Sequence, residues 1–164
     1  MKRIISVLME NEAGALSRVV GLFSQRGYNI DTLTVAPTDD ETMSRLTLTT
    51  AGDDRMIEQI VKQLHKLIDT IKVVDLTEGA HVERELMLVK INAADSEARS
   101  EIKRCTDIFR GTIVDVTPTS FIVQLAGDSD KLDVFIESVA ELGTMEVVRS
   151  GVVGIARGEK FLRI

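Results

Sequence analysis

The order of predicted strands and helices repeats along this chain, and the repeat constrains the fold more than any other sequence feature. The strands of the first half, which are short runs of alternating apolar residues, are predicted at 3–9, 29–36, 43–50 and 71–76. Those of the second half are predicted at 84–91, 112–117, 120–126 and 144–149. Helices, in which apolar residues recur three and four positions apart, are predicted at 15–26, 53–68, 96–110 and 132–142. Both halves therefore have the order βαββαβ.

The two halves also share the short motifs that separate their elements. Ala51-Gly52-Asp53 and Ala126-Gly127-Asp128 each lie between a strand and the second helix of a half. Arg26-Gly27 and Arg110-Gly111 each follow the first helix, where glycine commonly ends a helix. This duplication predicts an α+β protein of two ferredoxin-like sandwiches in tandem, each with a four-stranded antiparallel sheet and helices on one face.

A segment without apolar periodicity, TEGAHV at 77–82, separates the halves. We predict one domain at 1–77 and a second at 83–164, joined by a linker at 78–82, with the tail from Ser150 in the second domain. Each half of a 164-residue chain has a core of marginal size. The second strand, which begins at Asn29, is an edge strand in this topology, so we expect it to pair with its copy in a homodimer.

A short polar loop, Asn11 to Gly14, leads from the first strand into the first helix. The helix is predicted to bury its apolar residues Leu16, Val19, Val20 and Phe23. The first N–H groups of a helix have no partner within it, and they favour an anion together with the helix dipole. Gly14 lets a ligand approach the backbone, and Asn11 offers a donor and an acceptor. A free amino acid is the simplest ligand; alternatively, Asn11 is only a cap or turn residue and Gly14 only a turn glycine.

Composition argues against several classes of function. The chain has a formal net charge of −6, five Phe, one Tyr and no Trp, whereas a nucleic-acid surface needs a basic patch and usually stacking rings. Cys105 is the only cysteine, which leaves no internal disulfide or cysteine metal cluster and fits a reducing cytoplasm. The N-terminal apolar run soon meets Glu10 and Glu12, and no 18 successive residues are apolar. We therefore expect neither a signal peptide nor a membrane span.

The titratable residues form no catalytic pattern. His65 and His81 are far apart and lack the spacing of a metal site, so we expect both on the surface. The acidic run Asp39-Asp40-Glu41 lies in a predicted hairpin loop, and Asp128 and Asp130 are predicted at the start of the last helix. The chain has no phosphate-binding glycine loop and no Gly-x-Ser-x-Gly motif. We predict no catalytic residue and no metal site.

The loop and its helix, NEAGALSRVVGLFSQRGYNIDTL, resemble an ACT domain, a small amino-acid-sensing module, in the form found in the small regulatory subunits of acetolactate synthase (acetohydroxyacid synthase). The later phrases ERELMLVKI, GTIVDVTPTSFIVQLAGDSDKLDVFIE and EVVRSGVVGIARG resemble the same family. The resemblance covers nearly the whole chain. Many relatives have proline at the position of Ala13, which loosens the loop here without removing the pattern.

The resemblance implies a non-catalytic subunit that binds the large catalytic subunit, raises its activity and transmits feedback inhibition by a branched-chain amino acid, usually L-valine. It also implies that thiamine diphosphate, Mg²⁺ and FAD, which serve the condensation of two pyruvates to 2-acetolactate and CO₂, belong to the large subunit. By position, the resemblance implies an effector site in which one chain supplies the loop and the start of the helix, at Asn11, Gly14, Ala15 and Leu16. The resemblance likewise implies that the neighbouring chain supplies Asn29 and Ile30, and we expect Ser17 to shape the pocket.

Two other classes of function stay open at this stage. One is a free-standing amino-acid-responsive regulator built from tandem sensing domains, although the matching segment of the second half, Asn92 to Asp95, lacks a glycine. The other is an enzyme in its own right, which would convert pyruvate to acetolactate alone. Valine, leucine and isoleucine all remain candidates, because one methylene in a pocket changes binding by only about 1–3 kcal/mol.

Overall fold

The computed structural model describes residues 1–164, and the chain divides into two compact units. The first unit contains Met1–Glu83 and Gly151–Ile164, and the second contains Arg84–Ser150. The elements of the first βαββαβ repeat are β1 Lys2–Glu10, α1 Ala15–Gln25, β2 Thr32–Pro37, β3 Met43–Ala51, α2 Asp54–His65 and β4 Thr70–Asp75. Their strands form an antiparallel sheet in the order β2-β3-β1-β4, so β2 lies at an edge as predicted.

The second repeat has the same order of elements. These are β5 His81–Asn92, α3 Ser96–Ile108, β6 Thr112–Val116, β7 Ser120–Gly127, α4 Ser129–Val139 and β8 Met145–Arg149. Its strands are arranged β6-β7-β5-β8, and a further short strand, β9 Val153–Ala156, also pairs with β5. The prediction of two ferredoxin-like sandwiches in tandem is therefore confirmed, whereas β9 was not predicted.

Three of the four α-helices begin with an aspartate that caps them. The side chains of Asp53, Asp95 and Asp128 accept hydrogen bonds from backbone N–H groups three residues ahead, each at 2.8 Å. Such a cap satisfies one of the free donors at a helix start and stabilises by about 1 kcal/mol. The predicted cap at Asp128 is correct, and α1 is the exception, as described below.

The core of the first unit lies between its helices and one face of the sheet, and α1 buries only part of the stripe predicted for it. Ala15, Val19 and Phe23 are buried, whereas Leu16 and Val20 are 37% and 40% exposed. The predicted apolar stripe was wider than the part of α1 that the sheet covers. The covered part is centred on Ala15, Val19 and Phe23, which are four residues apart. An exposed apolar pair thus remains on α1.

Residues after Ser150 pack on the first unit, although the sequence analysis assigned them to the second domain. Val152 is fully buried in a cluster with Ile4 and Leu76. Arg45 of β3 donates from Nη2 to the backbone oxygen of Gly154 at 2.8 Å. The tail packs there because β1 is apolar on both faces. Apolar residues on the face away from the helices, such as Ile4, are buried by the tail.

Regular structure extends into the predicted linker, 78–82, from both ends. A 3₁₀ turn occupies Leu76–Glu78, and β5 already begins at His81. The backbone N–H of Arg157 donates to the oxygen of Ala80 at 2.9 Å. Contacts with the returning tail therefore order a segment that has no periodicity of its own.

Removing the tail's apolar contact is expected to destabilise the first unit. Val152→Ala deletes two buried methyl groups and should lower the free energy of unfolding by about 2 kcal/mol. Val153→Ala is the matched control, because that neighbouring valine is 48% exposed and should cost about 0.5 kcal/mol or less. Urea unfolding followed by circular dichroism measures both. Equal losses in the two variants would contradict a tail that is packed on the sheet.

Candidate functional site

The loop between β1 and α1, residues 11–14, is held on one side by the β2–β3 hairpin. The backbone N–H of Asn11 donates to Thr42 O at 2.8 Å, and the side-chain Nδ2 of Asn11 donates to Glu41 O at 2.9 Å. The amide nitrogen of Asn11 is thus engaged by the hairpin. Its Oδ1 is the atom left to meet a ligand.

The start of α1 differs from the starts of the other helices because no side chain caps it. Gly14 occupies the cap position with φ 86° in the left-handed region, where glycine is favoured. The N–H groups of Leu16 and Ser17 donate to no acceptor within the chain. Free N–H groups at the positive end of a helix dipole form an anion site. The carboxylate of a small ligand would replace the missing cap.

An ion pair lies beside this helix start. Arg18 donates from Nε to Asp69 Oδ2 at 2.5 Å and from Nη2 to Asp69 Oδ1 at 3.1 Å. Hydrogen bonding from Arg18 holds the pKa of the Asp69 carboxyl below its usual value. The guanidinium also covers Gly14, since a Cβ added there would lie 2.9 Å from Arg18 Nη1. A side chain at position 14 therefore displaces Arg18.

An open cleft of about 400 Å³ runs along α1 from the loop. Its lining residues come from the end of the loop, from α1 and from the segment before β4, and they are Gly14, Ser17, Arg18, Gly21, Leu22, Gln25 and Leu67. Of the seven residues predicted for the effector site, Gly14 and Ser17 lie in this cleft. The sequence analysis missed Arg18 and Asp69. One available signal was a cation near the start of a helix, where the dipole opposes it.

The other predicted residues lie outside the cleft. Ala15 is 2% exposed and belongs to the core, so it can meet a ligand only through its backbone. Leu16 lies on the surface of α1, and Ile30 packs against the core of the first unit. Asn29 is exposed and donates from Nδ2 to Asp31 Oδ1 at 2.6 Å. This local bond competes with sheet pairing, and β2 accordingly begins at Thr32 rather than at Asn29.

Asn29 and the loop lie at opposite ends of the same sheet. Asn11 bonds to Thr42, just before β3, whereas the oxygen of Asn29 accepts from Thr50 Oγ1 at 2.6 Å, near the end of β3. Eight residues of extended strand separate these two contacts by about 25 Å. One chain therefore does not bring Asn29 and Asn11 together.

Other reactive groups in the structure point to no chemistry of their own. The carboxylates of Glu10, Glu12 and Asp69 approach one another within 4.8 Å, but Asp69 is already paired with Arg18. Cys105 is buried, and burial raises the pKa of its thiol, which keeps it in the unreactive protonated form. His81 approaches Glu83 at 3.4 Å. In length and hydropathy, the helices all fall short of what crossing a membrane requires.

Comparison with known proteins agrees with this architecture across nearly the whole chain. Residues 5–72 match the family described as the AHAS small subunit-like ACT domain, and residues 84–158 match the family described as the small subunit of acetolactate synthase. The acetolactate synthase isozyme 3 small subunit of Salmonella typhimurium is 63% identical over 164 residues, covering 99% of this chain and all of that protein. The small subunit of Haemophilus influenzae is 60% identical and covers 98% of each chain.

A solved structure shows the same fold. The crystal structure of the acetolactate synthase small subunit from Thermotoga maritima superimposes with a TM-score of 0.86 at 35% identity, covering 98% of this chain and 99% of that one. Fold and sequence together define a regulatory protein with an ACT domain. The chain belongs to the family of acetolactate synthase small subunits.

Proposed function

We propose that this chain binds the large catalytic subunit of acetolactate synthase, raises its activity and transmits feedback inhibition by L-valine. The observation that carries the proposal is the uncapped start of α1, which faces an open cleft within the ACT domain of this family. The carboxylate of valine would accept from the N–H groups of Leu16 and Ser17, and its ammonium would meet Asn11 Oδ1.

A homodimer would complete this site. β2 is an edge strand, and Leu16, Val20 and Val35 are apolar residues exposed on the first unit. Pairing two copies of β2 antiparallel about a two-fold axis sets the Asn29 end of one strand beside the Pro37 end of the other. Pro37 pairs with Ser44 close to the hairpin that holds Asn11, so Asn29 and Ile30 of the neighbour would approach the loop.

The second unit offers no equivalent site, which argues against a free-standing regulator with tandem sensing domains. Its first helix, α3, is capped by Asp95, whose side chain accepts from Ala98 N at 2.8 Å. Ala93, which directly follows the preceding strand β5, is 2% exposed. We therefore assign effector binding to the first unit alone. Thiamine diphosphate, Mg²⁺ and FAD would be held by the large subunit, which carries out the reaction.

Reconstitution tests the proposal directly. The large subunit alone, this chain alone and their mixture are assayed for acetolactate formation from pyruvate, with and without L-valine. We expect no turnover by this chain alone, a higher rate for the mixture, and inhibition of the mixture by valine with a coupling factor of about 5 to 150. Turnover by this chain alone would identify an enzyme instead. A mixture no faster than the large subunit would contradict the proposed role.

A further inference from the structure

Asp69 bonds to both ends of the β1–α1 loop, although it lies 51 residues after Arg18. Its backbone oxygen accepts from the N–H of Glu10, the last residue of β1, at 2.8 Å. Its carboxylate accepts two hydrogen bonds from Arg18, one turn into α1. The Asp69 side chain is only 7% exposed. Residues 11–14 therefore run between two points that the same aspartate holds.

The position of Arg18 depends on this aspartate rather than on the helix. The helix dipole repels a cation close to the start of a helix. The negative charge of Asp69 offsets this repulsion of Arg18. The two hydrogen bonds use Nε and Nη2, which leaves Nη1 as the guanidinium atom nearest to Gly14. Glycine at position 14 is what allows the guanidinium to lie there.

We propose that Arg18 and Asp69 form a clamp that positions the loop 11–14 for the effector, so that both are positioning residues of the valine site. The inference deepens the proposed function and rests on it. The clamp fixes the distance between the end of β1 and the first turn of α1. It thereby fixes the direction in which the free N–H groups of Leu16 and Ser17 point. Losing the clamp should weaken valine binding without changing what bound valine does.

The test uses the reconstituted enzyme with Arg18→Gln, Asp69→Asn and the double variant. We expect each single variant to raise the valine concentration for half-maximal inhibition by roughly tenfold, with unchanged maximal inhibition and unchanged activation of the large subunit. The double variant should be no more resistant than either single variant, because all three break one pair. A role of Arg18 independent of Asp69 would instead make the two effects multiply.

The matched control is another ion pair of the same unit. Lys62 and Glu58 form an exposed pair at 2.6 Å within α2, outside the loop. Lys62→Gln and Glu58→Gln should therefore leave valine sensitivity unchanged. Arg18→Lys keeps the charge with fewer donors and should fall between wild type and Arg18→Gln. Any other order of sensitivity overturns the clamp.

Two outcomes separate the clamp from the proposed function. If wild type is inhibited by valine and both single variants are as sensitive to valine as wild type, the clamp is wrong and the effector assignment stands. If valine does not inhibit the wild-type reconstituted enzyme, the effector assignment fails and the clamp fails with it. Multiplicative effects in the double variant overturn the clamp while leaving valine as the effector.

Discussion

Replacing Gly14 with aspartate is expected to abolish inhibition by valine while this chain still activates the large subunit. Position 14 has φ 86°, and an added Cβ would lie 2.9 Å from Arg18 Nη1, so the new side chain displaces the guanidinium. Its carboxylate would also take the place at the helix start that the carboxylate of valine would occupy. The helix face made by Ala15, Val19 and Phe23 is untouched, so the fold and the activation should survive.

Gly158→Asp is the matched control for this variant. Gly158 also has a positive φ, 77°, and nothing lies within 4 Å of its added Cβ. It lies in the tail after β9, so it introduces comparable backbone strain outside the loop and outside the Asn29 segment. Valine inhibition of the reconstituted enzyme is measured for both. Because allosteric couplings are typically worth only about 1–3 kcal/mol, even a partial loss of valine affinity should show as resistance. Intact inhibition in Gly14→Asp would mean that the loop is only a turn.

Gly14→Asp also tests whether two chains share the effector site. Asn29→Ala should also cause resistance, acting from the neighbouring chain. In a heterodimer of Gly14→Asp with Asn29→Ala, one site carries both defects and the other carries neither. Mixing the two variants should therefore restore part of the valine inhibition. If heterodimers form and no inhibition returns, the proposal that Asn29 serves the loop of its neighbour is wrong.

Breaking the buried ion pair of the second unit is expected to have the largest effect on stability. Glu85 of β5 is 2% exposed and accepts from Arg149 Nε and Nη2, each at 2.9 Å. These hydrogen bonds raise the pKa of Arg149 well above its usual value. Glu85→Gln leaves the Arg149 charge partly buried with a weaker partner. We expect a loss of about 2–3 kcal/mol, below the full cost of breaking a buried pair because Arg149 still contacts Asp133.

Glu146→Gln is the control for this experiment. Glu146 lies on β8, close to Arg149 in sequence, and pairs with Lys90 at 3.7 Å, but both side chains are more than half exposed. Its loss should cost about 0.5 kcal/mol or less, because water screens the pair. Chemical unfolding of the full chain compares the two variants. Equal destabilisation would show that burial does not govern the contribution of Glu85.

Features that depend on neighbouring residues were predictable from the sequence. The order βαββαβ follows from apolar periodicity, which backbone geometry imposes locally, and the cap at Asp128 follows from its place before a helix. The loop with Gly14 was also recognisable, because a strand, a short polar segment and a helix occur in immediate succession. These are contacts and conformations within a few residues of one another.

Contacts between distant parts of the chain were decided by the tertiary structure. The sequence could not pair Arg18 with Asp69, place Val152 beside Ile4, or bury Glu85 against Arg149. It also could not tell that the sheet covers the face of α1 holding Ala15 instead of Leu16. Apolar periodicity indicates which side of a helix or strand carries its apolar residues. Which other segment covers that side depends on how the whole chain packs, because hydrophobic burial has no directional preference of its own.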